Sequence, residues 1–152
     1  MASIQSSESW TAKNKVNVYD YDPADSTVIT DVGWVDMQDY EEFTVICFAS
    51  ALTGTGLTAF KILANSDSAG GGTDAEIKVH ALGSAPDAVG DWVVLSCSAE
   101  EIKQAETTAT GRLRYVSANL DCNNSGDEQV VVYIRSKPRF PQTGLTADTI
   151  SA

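Results

Sequence analysis

The chain has little of what chemistry at an active site needs. It holds one histidine, His80, in 152 residues, so any Ser-His-Asp or Cys-His mechanism would depend on that side chain alone. His80 sits in an alternating segment, residues 76–81, that turns Ile77 and Val79 inward and His80 outward, and no nucleophile motif accompanies it. The three cysteines, Cys47, Cys97 and Cys122, are odd in number and do not form a disulfide framework. Cys47 and Cys97 fall within apolar segments and read as small buried hydrophobes, in keeping with a reducing compartment. A Ca²⁺ would have to use Asp20, Asp22 and Asp25, or Asp67, Asp74 and Glu76, and neither group has EF-hand spacing. Gly54-Thr55-Gly56 lacks the lysine of a phosphate loop. No apolar run approaches the ~20 residues that span a bilayer, and MASIQSSESW carries neither the basic nor the apolar part of an export signal. The expectation is a non-enzyme with no catalytic residue, cofactor, metal or membrane partner.

Positive charge is scarce too. Ten Lys and Arg face 21 Asp and Glu, a net −11, which argues against a nucleic-acid binder, whose affinity comes from neutralising phosphates. The distribution is uneven. Nine acidic and two basic residues occupy positions 1–42, whereas Arg112, Arg114, Arg135, Lys137 and Arg139 carry half of all positive charge near the other end. Opposite fields at two ends of one fold suit neighbour-to-neighbour docking; a solvated strand edge guarded by charge accounts for them equally.

What is present is short β-type segments. Apolar and polar residues alternate in 16–21, 58–65 and 76–81; 43–49 (FTVICFA) is a strand with Phe43, Val45 and Cys47 on one face and Ile46 and Phe48 on the other; and 91–97 (DWVVLSC) is apolar with Trp92 flanked by valines, which reads as core. Ser98 with Glu101 three positions later is a capping box, predicting one or two helical turns over 99–105. Residues 66–76 (SDSAGGGTDAE) read as a flexible loop. Two apolar segments, 113–120 and 130–134, flank a turn-forming cluster at 121–127 and predict a β-hairpin. The second, VVVYI, is apolar on both faces of the pleat, as in a central strand. Pro138 and Pro141 end the sheet. Expected core residues are Phe43, Val45, Phe60, Ile62, Val93, Val116, Val130, Val132 and Ile134. Strands about ten to fifteen residues apart with turns between them make an all-β sandwich. Its domain runs over 16–141, between an N-terminal arm at 1–15 and a tail at 142–152, both too polar to fold on the sandwich.

An ordered set of these pieces resembles a family of small tailed-bacteriophage virion proteins. The matching residues are Gly33-Trp34-Val35-Asp36, the strand from Phe43 to Ala49, Phe60 to Ser68, Arg114-Tyr115-Val116, Val130 to Ile134 and Lys137-Pro138-Arg139-Phe140-Pro141. The resemblance spans about residues 30 to 141. It implies a jelly-roll-like antiparallel β-sandwich with at most one short helix, serving as a capsid decoration (cement) protein on the virion surface and assembled in the host cytoplasm. The implied partner is the major capsid protein, with self-association as a trimer ahead of a dimer. Trp10, Trp34, Arg112, Arg114, Arg135, Lys137, Arg139 and Phe140 are the candidate contact residues. Two readings stand beside it: a tail or head–tail accessory protein, and a virion-displayed carbohydrate-binding module using its tryptophans.

Overall fold

The structure, a computed structural model, describes residues 13–21, 30–54, 56–82, 86–122 and 124–139. Nine strands and one helix follow in order: β1 (Asn14–Tyr21), β2 (Thr30–Asp31), β3 (Val35–Asp36), β4 (Tyr40–Ala49), β5 (Leu57–Asn65), β6 (Ala75–Val79), β7 (Trp92–Ser98), α1 (Ala99–Gln104), β8 (Tyr115–Cys122) and β9 (Gln129–Pro138). β1 starts inside the stretch expected to be an arm. Residues 1–12, 22–29 and 140–152, with Trp10, Asp22, Asp25, Phe140 and the expected turn at 22–25, lie outside the described residues.

Two antiparallel sheets form. One has the order β1-β9-β4-β7, and the other β2-β8-β5-β6 with β3 also on β8. β2 and β3 act as one interrupted strand, because Asp31 faces Asn119 and Val35 faces Val116, leaving one extra residue on their side. Eight strands so wound, each sheet alternating early and late strands, are a jelly roll. The β-sandwich class predicted from the sequence is therefore observed. The predicted hairpin is not: β8 and β9 belong to opposite sheets, so the two strands do not pair. Turn chemistry reports that a chain reverses; it does not report which sheet receives the next strand.

Between the sheets, Phe43, Val45 and Cys47 of β4 and Val131 and Tyr133 of β9 meet Phe60, Ile62 and Ala64 of β5 and Val116, Ala118 and Leu120 of β8, all fully buried. Phe43 packs edge-on against Tyr133, ring centroids 5.0 Å apart. At the β2–β3 interruption the Ala118 N–H lacks a ladder partner. It donates instead to the Tyr133 hydroxyl at 2.6 Å, a contact that reaches across the core and ties one sheet to the other.

Three core expectations need correction. Val130, Val132 and Ile134 are only half-buried, while Gln129, Val131, Tyr133 and Arg135 point inward. The VVVYI segment is apolar on both faces, so the pattern fixes no register, and a one-residue slip exchanges the faces. Trp92, expected inside, is 62% exposed. Val79, also expected inside, is exposed because β6 carries one extra residue opposite the Ile62/Leu63 step, which turns Val79 outward beside Lys61.

The capping box forms as predicted: Ser98 Oγ accepts from the Glu101 N–H and the Glu101 carboxylate accepts from the Ser98 N–H. The 66–74 loop, expected to be unable to pack, is held by local bonds. Asn65 Oδ1 accepts from the Asp67 N–H at 2.7 Å, Asp67 Oδ1 accepts from the Ala69 N–H at 2.7 Å, and Trp34 lies on Gly70, whose φ is +74°.

Candidate docking surfaces

Across the register of the β1-β9-β4-β7 sheet, outward side chains form three rows. They are Val16, Ile134, Thr44 and Ser96; Val18, Val132, Ile46 and Val94; and Asp20, Val130, Phe48 and Trp92. Four of the six exposed large apolar side chains among the described residues stand here: Trp92, Val18 at 47%, and Phe48 and Val94 at 37% each. Strand spacing makes the patch on the order of 400 Å², as large as the biggest apolar patch of a typical monomer, which is often functional. The opposite sheet has a polar outer face. There Asn119 donates to Asp31 at 2.7 Å, Thr58 to Asp121 at 3.0 Å and Lys61 to Glu76 at 2.8 Å.

A second surface lies at the end of the sandwich where β9 leaves the sheet. A groove of about 980 Å³ runs between α1 and the start of β8, floored by Met37, Ile102, Leu113 and Tyr115 and flanked by Lys103, Arg112, Arg114 and Arg139. Glu100 and Glu106 also line it, and Glu106 accepts from the Leu113 N–H at 3.1 Å.

The clustering of basic residues late in the sequence is reproduced in part: Arg112, Arg114 and Arg139 come together at this groove, and the others are separated from it. Arg114 is paired with Asp36, and that hydrogen bond holds the Asp36 carboxyl below its ordinary range. Lys137 pairs with Glu42. Arg135, a candidate contact, is instead buried, donating to the Asp36 carbonyl at 2.8 Å and to Asn17 Oδ1 at 3.0 Å, with Tyr40 beneath its guanidinium. An inward position on β9 removes it from any contact surface. Trp34 is half-buried on the 66–74 loop.

In the sequence Asp127 reads only as part of a turn. Its carboxylate, fully buried, accepts from the N–H groups of Thr53 (2.6 Å), Gly54 (2.7 Å) and Gly56 (3.1 Å). Burial acts to raise its pKa, but the three amides outweigh that and hold it below the ordinary value. The glycine stretch that lacks a phosphate-loop lysine is thus an anion nest filled by the protein's own carboxylate. Its signal in the sequence is weak, since 71 to 74 positions separate the partners.

Burial pushes the Cys97 and Cys122 thiols up to about 12 and raises Cys47 further; buried protonated thiols are poor nucleophiles. Among the described residues no three His, Cys, Asp or Glu side chains converge as a metal site would require. His80 is half-buried beside Phe60, ring centroids 6.1 Å apart.

No family model matches the chain and no curated protein matches it, so the phage resemblance rests on the residues quoted for it. Among solved structures, one of infectious bursal disease virus (Gt strain) is similar at a TM-score of 0.39 and 10% identity, covering 86% of this chain and 33% of that chain. The chain spans about a third of that protein's length, and at this level nothing about function passes between them.

Proposed function

We propose that this protein is a non-enzymatic virion component, a bacteriophage capsid decoration protein that binds the outside of the assembled head and bridges neighbouring major capsid subunits. The observation that carries the reading is the apolar outer face of the β1-β9-β4-β7 sheet. Its ~400 Å² is roughly half the ~800 Å² per partner of a standard stable interface. At ~25 cal/mol per Å² it supplies about 10 kcal/mol gross, comparable with the roughly 4–15 kcal/mol that association costs. A lone contact of that size is weak. Repeated on a symmetric lattice, or spread over two coat subunits held together, it becomes stable attachment through avidity. The acidic surface suits a basic rim around the complementary coat patch.

The test is co-sedimentation with purified heads and, separately, purified tails. Binding to heads at a fixed ratio to coat protein is expected; binding to tails alone assigns the accessory role instead. Trp92 beside Phe48 also favours a glycan-binding reading, because exposed rings on a sheet face are where sugars stack. Glycan-array binding lost on Trp92→Ala, with no affinity for heads, would establish that alternative.

A further inference from the structure

Lys103, Arg112 and Arg139 have no ion pair or side-chain hydrogen bond among the described residues, and all three line the groove at one end of the sandwich. By contrast Lys61, Lys78, Arg114 and Lys137 are each committed to a carboxylate. An acidic protein that brings three uncommitted cations into one concave site, with Lys15 apart on β1, over a floor containing Ile102 and Leu113, fits a ligand with an apolar tip between carboxylates.

The opposite end of the same molecule carries such a tip. The 86–91 turn presents Val89, 65% exposed, between the exposed carboxylates of Asp87 and Asp91. The turn is already shaped: the Asp91 N–H donates to the Ala88 carbonyl at 3.0 Å, the Ala88 N–H to Asp91 Oδ2 at 3.3 Å, and the Gly90 N–H to the Ala49 carbonyl at 2.9 Å. Gly90 supplies the required φ of +93°. Little conformational entropy remains to be lost on docking. Asp20 and Glu128 are exposed at this end as well, and no Lys or Arg occurs in the described segments that form it, 19–21, 48–54, 86–92 and 124–130.

We propose that the 86–91 turn of one copy docks into the Lys103–Arg112–Arg139 groove of a second copy. Knob and groove lie at opposite ends of β7 and the helix that follows it, so the contact is head-to-tail; it closes into a ring if the rotation allows and otherwise extends as a chain. Both charged surfaces are local, and at moderate salt the net −11 of each copy is screened beyond roughly 10 Å. The proposal is independent of the capsid reading, since it uses neither the apolar sheet face nor a coat protein.

Sedimentation velocity of the full chain tests it at about 0.1 M and about 1 M salt, where screening lengths are roughly 10 and 3 Å. The expected result is concentration-dependent self-association at low salt that is lost at high salt. Arg112→Glu with Arg139→Glu, and separately Asp87→Lys with Asp91→Lys, should each weaken it at least about tenfold, or about 1.4 kcal/mol. Mixing the two reversed proteins should restore a complex, because the intact knob of one meets the intact groove of the other and the reversed knob matches the reversed groove. A wild-type melting curve qualifies each variant; should one melt early, Val89→Ser or Lys103→Gln probes the same contact. A chain that stays monomeric at low salt, or reversed variants that fail to associate when mixed, overturns the proposal. So does self-association that survives both reversals and disappears on Trp92→Asp, which would assign contact between copies to the sheet face.

Discussion

The two sheets of this sandwich share one core and have opposite backs. On the β2-β8-β5-β6 sheet the outward row Asp31, Asn119 and Lys61 is polar and bonded, with Val79 at its β6 edge the single exposed valine of that row. On the β1-β9-β4-β7 sheet the corresponding positions hold Val18, Val132, Ile46 and Val94. Stability accounts for the first pattern and for both inner faces. It does not account for valines and a tryptophan left facing solvent, which gain nothing from the folded monomer and favour association. The difference separates what folds the chain from what the chain is for.

The largest effect expected from breaking that comparison is on the inner side. Phe60→Ala removes a fully buried ring at the middle of the core and should cost about 3–5 kcal/mol in urea unfolding. Trp92→Ala on the outer face should stay within roughly 0.5 kcal/mol. Equal losses would mean that Trp92 is part of the core after all.

Next in size is Asp127→Asn, which weakens three amide bonds to a buried carboxylate and should cost about 2–3 kcal/mol at neutral pH. The folded pKa of Asp127 is depressed, so its contribution is fully present above the unfolded value near about 3.9 and is lost as pH falls through the folded value. The difference between wild type and Asp127→Asn should therefore shrink below about pH 4. A difference that stays constant far into acid would indicate that Asp127 acts by shape rather than charge.

A smaller cost, about 1–2 kcal/mol, is expected for Gly70→Ala, which places a Cβ against Trp34 at a positive φ. The sequence alone predicts that substitutions in 68–73 are nearly silent, so a thermal melt decides between the two expectations. The smallest effect concerns chelation: among the described residues no three His, Cys, Asp or Glu side chains could hold a metal ion, and a chelator is expected to leave the melting temperature unchanged. A clear drop would revive a calcium site at the Asp20–Asp25 or Asp67–Glu76 carboxylates.

Much of the fold is legible in the sequence because local patterns carry it. The alternation of β4 and β5 places Phe43, Val45, Phe60 and Ile62 correctly, and Ser98 with Glu101 locates the helix. What stays hidden depends on distant partners. The pairing of Val18 with Val132 and of Val94 with Ile46 is a property of register, so four valine- and isoleucine-bearing strands can be recognised without revealing that their outer residues join into one patch. VVVYI carries the clue in its second apolar face, which reads as a sign of burial when it marks a surface without cover in the described fold. The basic residues are visibly clustered in sequence, but the pleat sends Arg135 inward and leaves Arg139 at the groove, a distinction of two strand faces and an exit that composition does not express.

The most direct measurement sets the two backs against each other on purified heads. Trp92→Asp changes the apolar face and Lys61→Ala the polar one, and both are expected to melt like the wild type. Co-sedimentation should then show the Trp92→Asp protein released from heads while the Lys61→Ala protein stays bound. Retention of Trp92→Asp at wild-type levels, with or without loss of Lys61→Ala, would contradict the assignment of the β1-β9-β4-β7 face as the surface that binds.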